Sequence, residues 1–311
     1  MTALPVVSII TPVFNGEEYI EETIKSVVEA EIDVEYEYIV LNDGSQDSTL
    51  EIIRKFEDQV RVFSHENVGE SETVNLGIHY ATGKYLLVLS ADDPLLTKEL
   101  LSRAVSELNS NSDLVAVYPD WKIISSDGED LEFVILPEYS EKIMIGENRC
   151  LPGPGVVFRR DAALKIGGRS RNWKFVGDYD FWLRLSRLGS IQRLPGILAQ
   201  WRDSTESTSV SQRGQLMASE RIRVIESFIL KNDLNPKLQR VAKSNSYMLA
   251  ARLNFFDSSI KGKKLLFKSF VTRRGWPETA RISVVLYLAL TPFSRLALSL
   301  FPKMREKIST R

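Results

Sequence analysis

The chain reads as an α/β protein, with a mostly parallel sheet flanked by helices and then a helical C-terminal region. Three observations predict this. Short apolar runs alternate with amphipathic helical stretches from Val6 to Leu89, joined by short connections, the pattern of repeated right-handed crossovers. The stretch Tyr85-Leu86-Leu87-Val88-Leu89 is continuously apolar and too short for a helix, which marks a strand covered on both faces. From Ser211 onward Ile222, Ile225 and Ile229 recur at helical spacing, and no strand pattern returns.

Taken in order, Val6 to Pro12 is the first strand, and Pro12 is expected to end it for want of an amide hydrogen. Tyr19, Ile20, Ile24, Val27 and Val28 lie on one face of a helix from Glu17 to Ala30 with acids in its first turn. Tyr38 to Leu41 is a second strand, ending in Asn42-Asp43-Gly44-Ser45, after which Asp47 or Ser48 caps a helix to about Phe56. Val60 to Phe63, Ser71 to Tyr80 and Tyr85 to Leu89 continue the alternation as strand, helix, strand. Leu100 to Leu108 is then a helix and Leu114 to Tyr118 a strand, and Trp121 to Leu136 forms a hairpin outside the parallel core. Pro152-Gly153-Pro154-Gly155 is a rigid loop with little side-chain bulk. Gly167-Gly168 stops a short helix from Asp161 to Ile166, and Gly177-Asp178-Tyr179-Asp180 opens another.

With 311 residues, 43% hydrophobic and 26% charged, the chain has enough apolar matter for a substantial core and is not of disordered composition. Its single cysteine, Cys150, excludes an intrachain disulfide, so a cytosolic setting is expected. Met1 to Pro5 lacks the basic and apolar regions of a secretory leader. The net charge of −1 conceals an asymmetry: Ser259 to Arg311 holds twelve Lys or Arg against Glu278 and Glu306. An acidic front and a basic tail suggest two tasks in two places.

The chemistry is expected at the carboxyl end of the strand Tyr85 to Leu89, where Ser90-Ala91 leads to Asp92-Asp93-Pro94. Ligands of open α/β sheets bind at that end. Two adjacent acids there repel unless a cation joins them, and a divalent metal carrying its own anionic ligand meets that need. In isolation Asp-Asp-Pro would be read as a solvated turn. The first turn lacks Gly-x-Gly-x-x-Gly, so a dinucleotide pyrophosphate is not held there.

Val7 to Pro12 with Asn15, Asn42 to Thr49, Asn67-Val68-Gly69, Asn75-Leu76-Gly77-Ile78, Ala81-Thr82-Gly83 and Asp92-Asp93 together resemble the family 2 glycosyltransferases. Gly177-Asp178-Tyr179-Asp180 with Arg184, and Trp201-Arg202 with Ser207 and Ser209, fit the later blocks of that family, so the resemblance covers about two thirds of the chain. It implies a GT-A fold over residues 1 to 210, with residues 211 to 311 as a helical region. It also implies inverting transfer from a nucleoside-diphosphate sugar to an acceptor hydroxyl, with Mg²⁺ or Mn²⁺. Matched position by position, Asp43 is the nucleobase contact, and Pro12, Asn15 and Asp92 belong to the donor site. Asp93 is the metal acid and Asp178, ahead of Asp180, the base. Arg202 is a diphosphate contact. A carboxylate suits a nucleobase N–H, and a base must take the proton of a weakly acidic hydroxyl.

The sequence departs from the commoner family pattern at Ser90, Gly177 and Ser204, which keeps open a sugar-nucleotide-binding protein with a scaffold role. Sugar and acceptor choice is expected from Trp121 to Gly155 and the loop after Gly168. The basic tail is interleaved with apolar runs and not with exposed aromatics, so nucleic acid is not an expected partner. Ile282 to Phe301 reaches the length of a membrane span, but Pro292 and Arg295 interrupt it. A helix lying in the interface of an anionic membrane fits that pattern better. That would place the enzyme in the cytoplasm, peripheral on the inner face of the cell membrane, near a saccharide or lipid-linked acceptor. The competing reading is a core helix.

Overall fold

The computed structural model describes residues 5–203, 210–254 and 259–272. Ser204, Ser207, Ser209 and the apolar run from Ile282 to Phe301 lie outside the described residues. Contacts divide the chain into two compact units. One comprises Met1–Ile145 and Arg149–Thr208, the other Gly146–Asn148 and Ser209–Arg311.

The first unit is built on one sheet. Its elements run β1 (Val7–Val13), α1 (Ile20–Val28), β2 (Tyr36–Asp43), α2 (Thr49–Arg54), β3 (Arg61–His65), α3 (Glu70–Tyr80) and β4 (Tyr85–Val88). They continue with α4 (Glu99–Ser110), β5 (Leu114–Ile124), β6 (Asp130–Val134), β7 (Val157–Arg159), α5 (Arg160–Lys165), α6 (Gly177–Leu185) and β8 (Ser190–Arg202). The strand order is β3-β2-β1-β4-β7-β5-β6, with β8 also paired to β5. The first four strands are parallel, and β7 runs antiparallel to both its neighbours. Val7, Ile9, Tyr85 and Leu87 are fully buried, as strands covered on both faces require, and α1 buries Ile20, Ile24 and Val27 against this core. Gly167 and Gly168, with φ of +76° and +69°, stop α5 as expected.

Three features depart from the sequence expectation. Pro12 lies inside β1, opposite Leu41, where β4 has already ended and the other flank of β1 is open, so the missing N–H interrupts no ladder there. The hairpin is not separate from the sheet, because β5 runs unbroken through Trp121 and its outer half carries β6. β8 was not expected at all. Pro195-Gly196 in its middle reads as a turn, yet the strand continues over a bulge opposite Pro119 and Asp120. Asp120, 2% exposed, stabilises that bulge by accepting from Arg193 (2.6 and 2.9 Å) and from the amides of Leu136 (2.8 Å) and Gly196 (3.1 Å).

The second unit packs α7 (Val210–Lys231) on α8 (Pro236–Asn254) and α8 on α9 (Ser259–Thr272). Val224, Ile225, Phe228, Ala242 and Ala250 are buried. Ser244 and Ser269 exchange hydroxyl and carbonyl bonds at the α8–α9 contact, so both can be buried at little cost. Among the described residues, no helix is long and apolar enough to cross a membrane.

Candidate active site

The site begins at the turn after β4. Asp93 is 5% exposed and its Oδ1 accepts the backbone N–H of Arg202 at 2.7 Å, which ties the turn to the end of β8. Burial, and after it the neighbouring Asp92 charge, push the Asp93 carboxyl up to about 7. The Arg202 amide and the Ser90 hydroxyl oppose this without cancelling it. Burial likewise raises Asp92. The turn therefore holds two acids whose joint ionisation is costly without a cation.

Arg202 serves as a strut for that turn. It is 2% exposed, and its Nε donates to the Asp92 carbonyl (2.8 Å), Nη1 to the Ser126 carbonyl (2.6 Å) and Nη2 to the Glu22 carboxylate (2.7 Å). Its guanidinium also lies over Tyr19, 4.7 Å from the ring centroid. The side chain expected to meet a diphosphate is thus committed to the backbone around Asp92 and to α1.

A cavity of about 350 Å³ opens beside this turn, with Pro12, Ser90, Asp93, Asp178, Lys174 and Trp201 in its wall. Asp178 stands exposed in the first turn of α6, and no hydrogen bond engages its side chain among the described residues. Asp180, the other candidate base, is bonded to Arg184 Nε at 2.7 Å. The remaining guanidinium of Arg184 holds the carbonyls of Ile166 and Gly168, both at 2.8 Å.

Asn15, Asp43, Asp92 and Arg202 are not in the cavity wall. Asn15 and Asp43 belong to the loops at the carboxyl ends of β1 and β2. Asn15, with φ of +50°, donates its N–H to Ser45 (2.9 Å) and accepts from the Gln46 amide (2.8 Å), joining the two loops. Asp43 is 3% exposed and accepts the amides of Val68 (2.7 Å) and Gly69 (3.0 Å) at the start of α3. In the same loop the Asn42 Oδ1 accepts the Ser45 amide at 3.1 Å.

The donor set fits a divalent metal in one way only. Among the described residues no three His, Cys, Asp or Glu side chains gather to enclose an ion. One or two carboxylates completed by phosphate oxygens and water are, however, the usual environment of Mg²⁺. Asp93, with Asp92 beside it, supplies that much.

Sequence reasoning missed Arg169 and Lys174, cations in the cavity wall from the loop after Gly168. Arg169 pairs with Glu70 at 2.6 Å, and its N–H donates to Asn75 at 2.7 Å. Nothing local marks loop cations of this kind. Their position between two helix-stopping glycines and the Asp178 block is the one available signal.

The model of the family described as "Glycosyl transferase family 2" matches residues 8–165. An uncharacterized glycosyltransferase of Rickettsia typhi is 30% identical over 271 residues, 83% of this chain and 82% of the relative. Hyaluronan synthase of Pasteurella multocida is 27% identical over 215 residues, 68% of this chain and 22% of that protein. Among solved structures, S. aureus TarS 1-349 in complex with UDP-GlcNAc aligns with a TM-score of 0.59 at 18% identity, over 86% of this chain and 81% of the other. The mannosyltransferase PcManGT from Pyrobaculum calidifontis, in complex with GDP-Man and Mn²⁺, aligns with a TM-score of 0.60 at 15% identity, over 95% and 84%. At such identities the structures establish a shared fold, and the sequence matches carry the family. The chain is a glycosyltransferase of GT-A architecture and belongs to glycosyl transferase family 2.

Proposed function

We propose that the chain transfers a sugar, with inversion, from a nucleoside-diphosphate sugar to an acceptor hydroxyl in the assembly of cell-surface polysaccharide or glycolipid. The observation that carries this reading is the shared cavity, which presents Asp93 from the turn after β4 and Asp178 from the start of α6. The similarity to hyaluronan synthase supports a polymer-building role.

In this reading the acceptor oxygen attacks the anomeric carbon while Asp178 takes its proton. The bond from that carbon to the diphosphate oxygen breaks on the opposite face, and the nucleoside diphosphate leaves. Asp93 would hold Mg²⁺ or Mn²⁺, which when bound supplies positive charge to the departing diphosphate. Pro12 in the cavity wall, with Asn15 and Asp92 in the loops outside it, would contact the donor. Each Asp43 oxygen accepts one backbone amide and keeps a lone pair for a nucleobase N–H. Arg202, its donors spent elsewhere, takes the role of positioning the Asp92-Asp93 turn. Residues 1–210 form the catalytic domain. The basic, apolar tail beyond Ser259 docks on an anionic membrane and keeps the enzyme peripheral on the cytoplasmic face, close to a saccharide or lipid-linked acceptor.

A panel of uridine and guanosine diphosphate sugars, screened with and without Mg²⁺ or Mn²⁺ for release of nucleoside diphosphate, tests the reaction. Metal-dependent release from at least one donor is expected, and its absence across the panel would leave only a binding protein. For the tail, flotation should show the full chain rising with anionic vesicles and not with neutral ones. Indifference to both would refute docking.

A further inference from the structure

Trp201 is 41% exposed, the only tryptophan left that open among the residues whose side chains are described. Side chains of this size are ordinarily well buried, so an open one in a cavity wall asks for an occupant. Its setting is built. In the β5–β8 register Trp121 stands opposite Ala199 and Trp201 opposite Ile123, so Trp121, Ala199 and Trp201 share one face of the sheet. Trp121 meets Trp201 edge to face, with centroids 6.2 Å apart and planes at 84°, which fixes the plane of the exposed indole.

The Pro152 to Gly155 loop lies over the same face without covering Trp201. A Cβ on Gly155, whose φ is +75°, would stand 2.5 Å from the Ala199 Cβ, so only glycine lets the loop come this close. Gly153 faces Trp121 with a Cβ position 3.4 Å from the indole nitrogen. The two glycines thus put no side chain of their own beside the indoles, while Pro152 and Pro154 of the same loop stand in the cavity wall. Arg202, the next residue, ties the end of β8 to the Asp93 carboxylate, so the platform adjoins the proposed reaction centre.

We infer that Trp201 is the stacking platform for a pyranose ring of the acceptor, which makes the acceptor a saccharide. This rests on the sugar-transfer reading and narrows its substrate class. A pyranose presents a flat apolar face of C–H bonds and a rim of hydroxyls. A rigid indole covers that face at little entropic cost and leaves the rim for hydrogen bonds. The nucleobase is not the candidate ring, because Asp43 and Asn15 lie at the ends of β2 and β1, and β4, β7 and β5 intervene in the sheet before β8.

The test compares Trp201→Ala and Trp201→Phe with the unaltered enzyme. The acceptors are methyl pyranosides of gluco, galacto and manno configuration and their disaccharides, and the donors are uridine and guanosine diphosphate sugars. Acceptor and donor KM are measured separately. Trp201→Ala should raise the acceptor KM about tenfold, the worth of one aromatic contact, and Trp201→Phe should recover most of it. A rise confined to the donor KM would put the donor's sugar on the indole and overturn the assignment. So would acceptor kinetics alike in all three proteins, or a Phe variant as impaired as the Ala variant. If instead the unaltered enzyme consumes no donor, the sugar-transfer reading itself fails, and this inference with it.

Discussion

Asp93 and Asp178 open on one cavity from contrary surroundings. Asp93 is 5% exposed, fixed by the Arg202 amide and pushed up to about 7 by burial and by Asp92. Asp178 is exposed in the first turn of α6, with no side-chain hydrogen bond among the described residues. The contrast separates two tasks. A buried, rigid acid is ill placed to carry its charge alone and well placed to share a cation with a diphosphate. An open, unengaged carboxylate can meet a hydroxyl and accept its proton without first breaking a bond. If the two acids did the same work, their variants would behave alike.

The largest expected difference is at Asp93. Asp93→Ala should abolish transfer and metal-dependent nucleotide binding together, read by turnover and by titration of nucleoside diphosphate with and without Mg²⁺. Unchanged metal dependence of binding would move the metal elsewhere. Asp178→Asn should keep donor and metal binding while transfer falls by about 10² or more, the general-base contribution. Near-normal transfer in that variant would turn attention to Asp180, once released from Arg184.

How far the two acids could be read from sequence follows the same divide. The Asp93 side lies in the parallel half, where each strand is a short apolar run, each helix repeats its own period, and each ligand loop falls at a strand's carboxyl end. Tyr85 to Leu89 is therefore legible as a strand, and Asp92-Asp93 as the turn at its carboxyl end. The other half is built by pairing at a distance. β7 is three residues long and β8 runs through Pro195-Gly196, which is tolerated because Asp120, more than seventy residues away in sequence, stabilises the bulge. The sequence marks Arg202 as a contact for a diphosphate, and the structure engages its guanidinium with protein groups. Its anion is Glu22, 180 residues earlier, and no motif records that pairing. Likewise, Trp201 stood in a motif whose letters do not say which side chain is left open.

That distance makes a third prediction. Arg202→Lys keeps a positive charge near Glu22 but cannot reach the carbonyls of Asp92 and Ser126 at the same time, since an ammonium lacks the fork of a guanidinium. The backbone N–H to Asp93 survives the substitution, so the effect should be smaller than at either acid. We expect turnover at saturating Mg²⁺ to fall about tenfold, the scale of one lost charged hydrogen-bond network, with the Mg²⁺ concentration for half-maximal rate rising. A loss with unaltered Mg²⁺ dependence would deny Arg202 a part in positioning Asp93.

The smallest effect appears in stability, and its sign follows from the burial of Asp93. Its carboxyl in the folded, metal-free protein titrates at about 7, above the ordinary 3.8. The folded state thus holds the proton more tightly than the unfolded one. That contribution is complete below about pH 4 and is lost as pH rises through about 7. Above this window the folded protein carries a buried negative charge beside Asp92. Asp93→Asn removes the charge, and its amide oxygen can still accept the Arg202 N–H. The metal-free variant should therefore melt above the unaltered protein at pH 8, by a few degrees at about 2 to 4 °C per kcal/mol, and the gap should close as pH falls to 5. Mg²⁺ with nucleoside diphosphate should raise the melting temperature of the unaltered protein alone, because only its carboxylate gains a cation. An offset of equal size at pH 5 and pH 8 would mean that Asp93 carries no such strain, and the division of labour between the two acids would lose its physical basis.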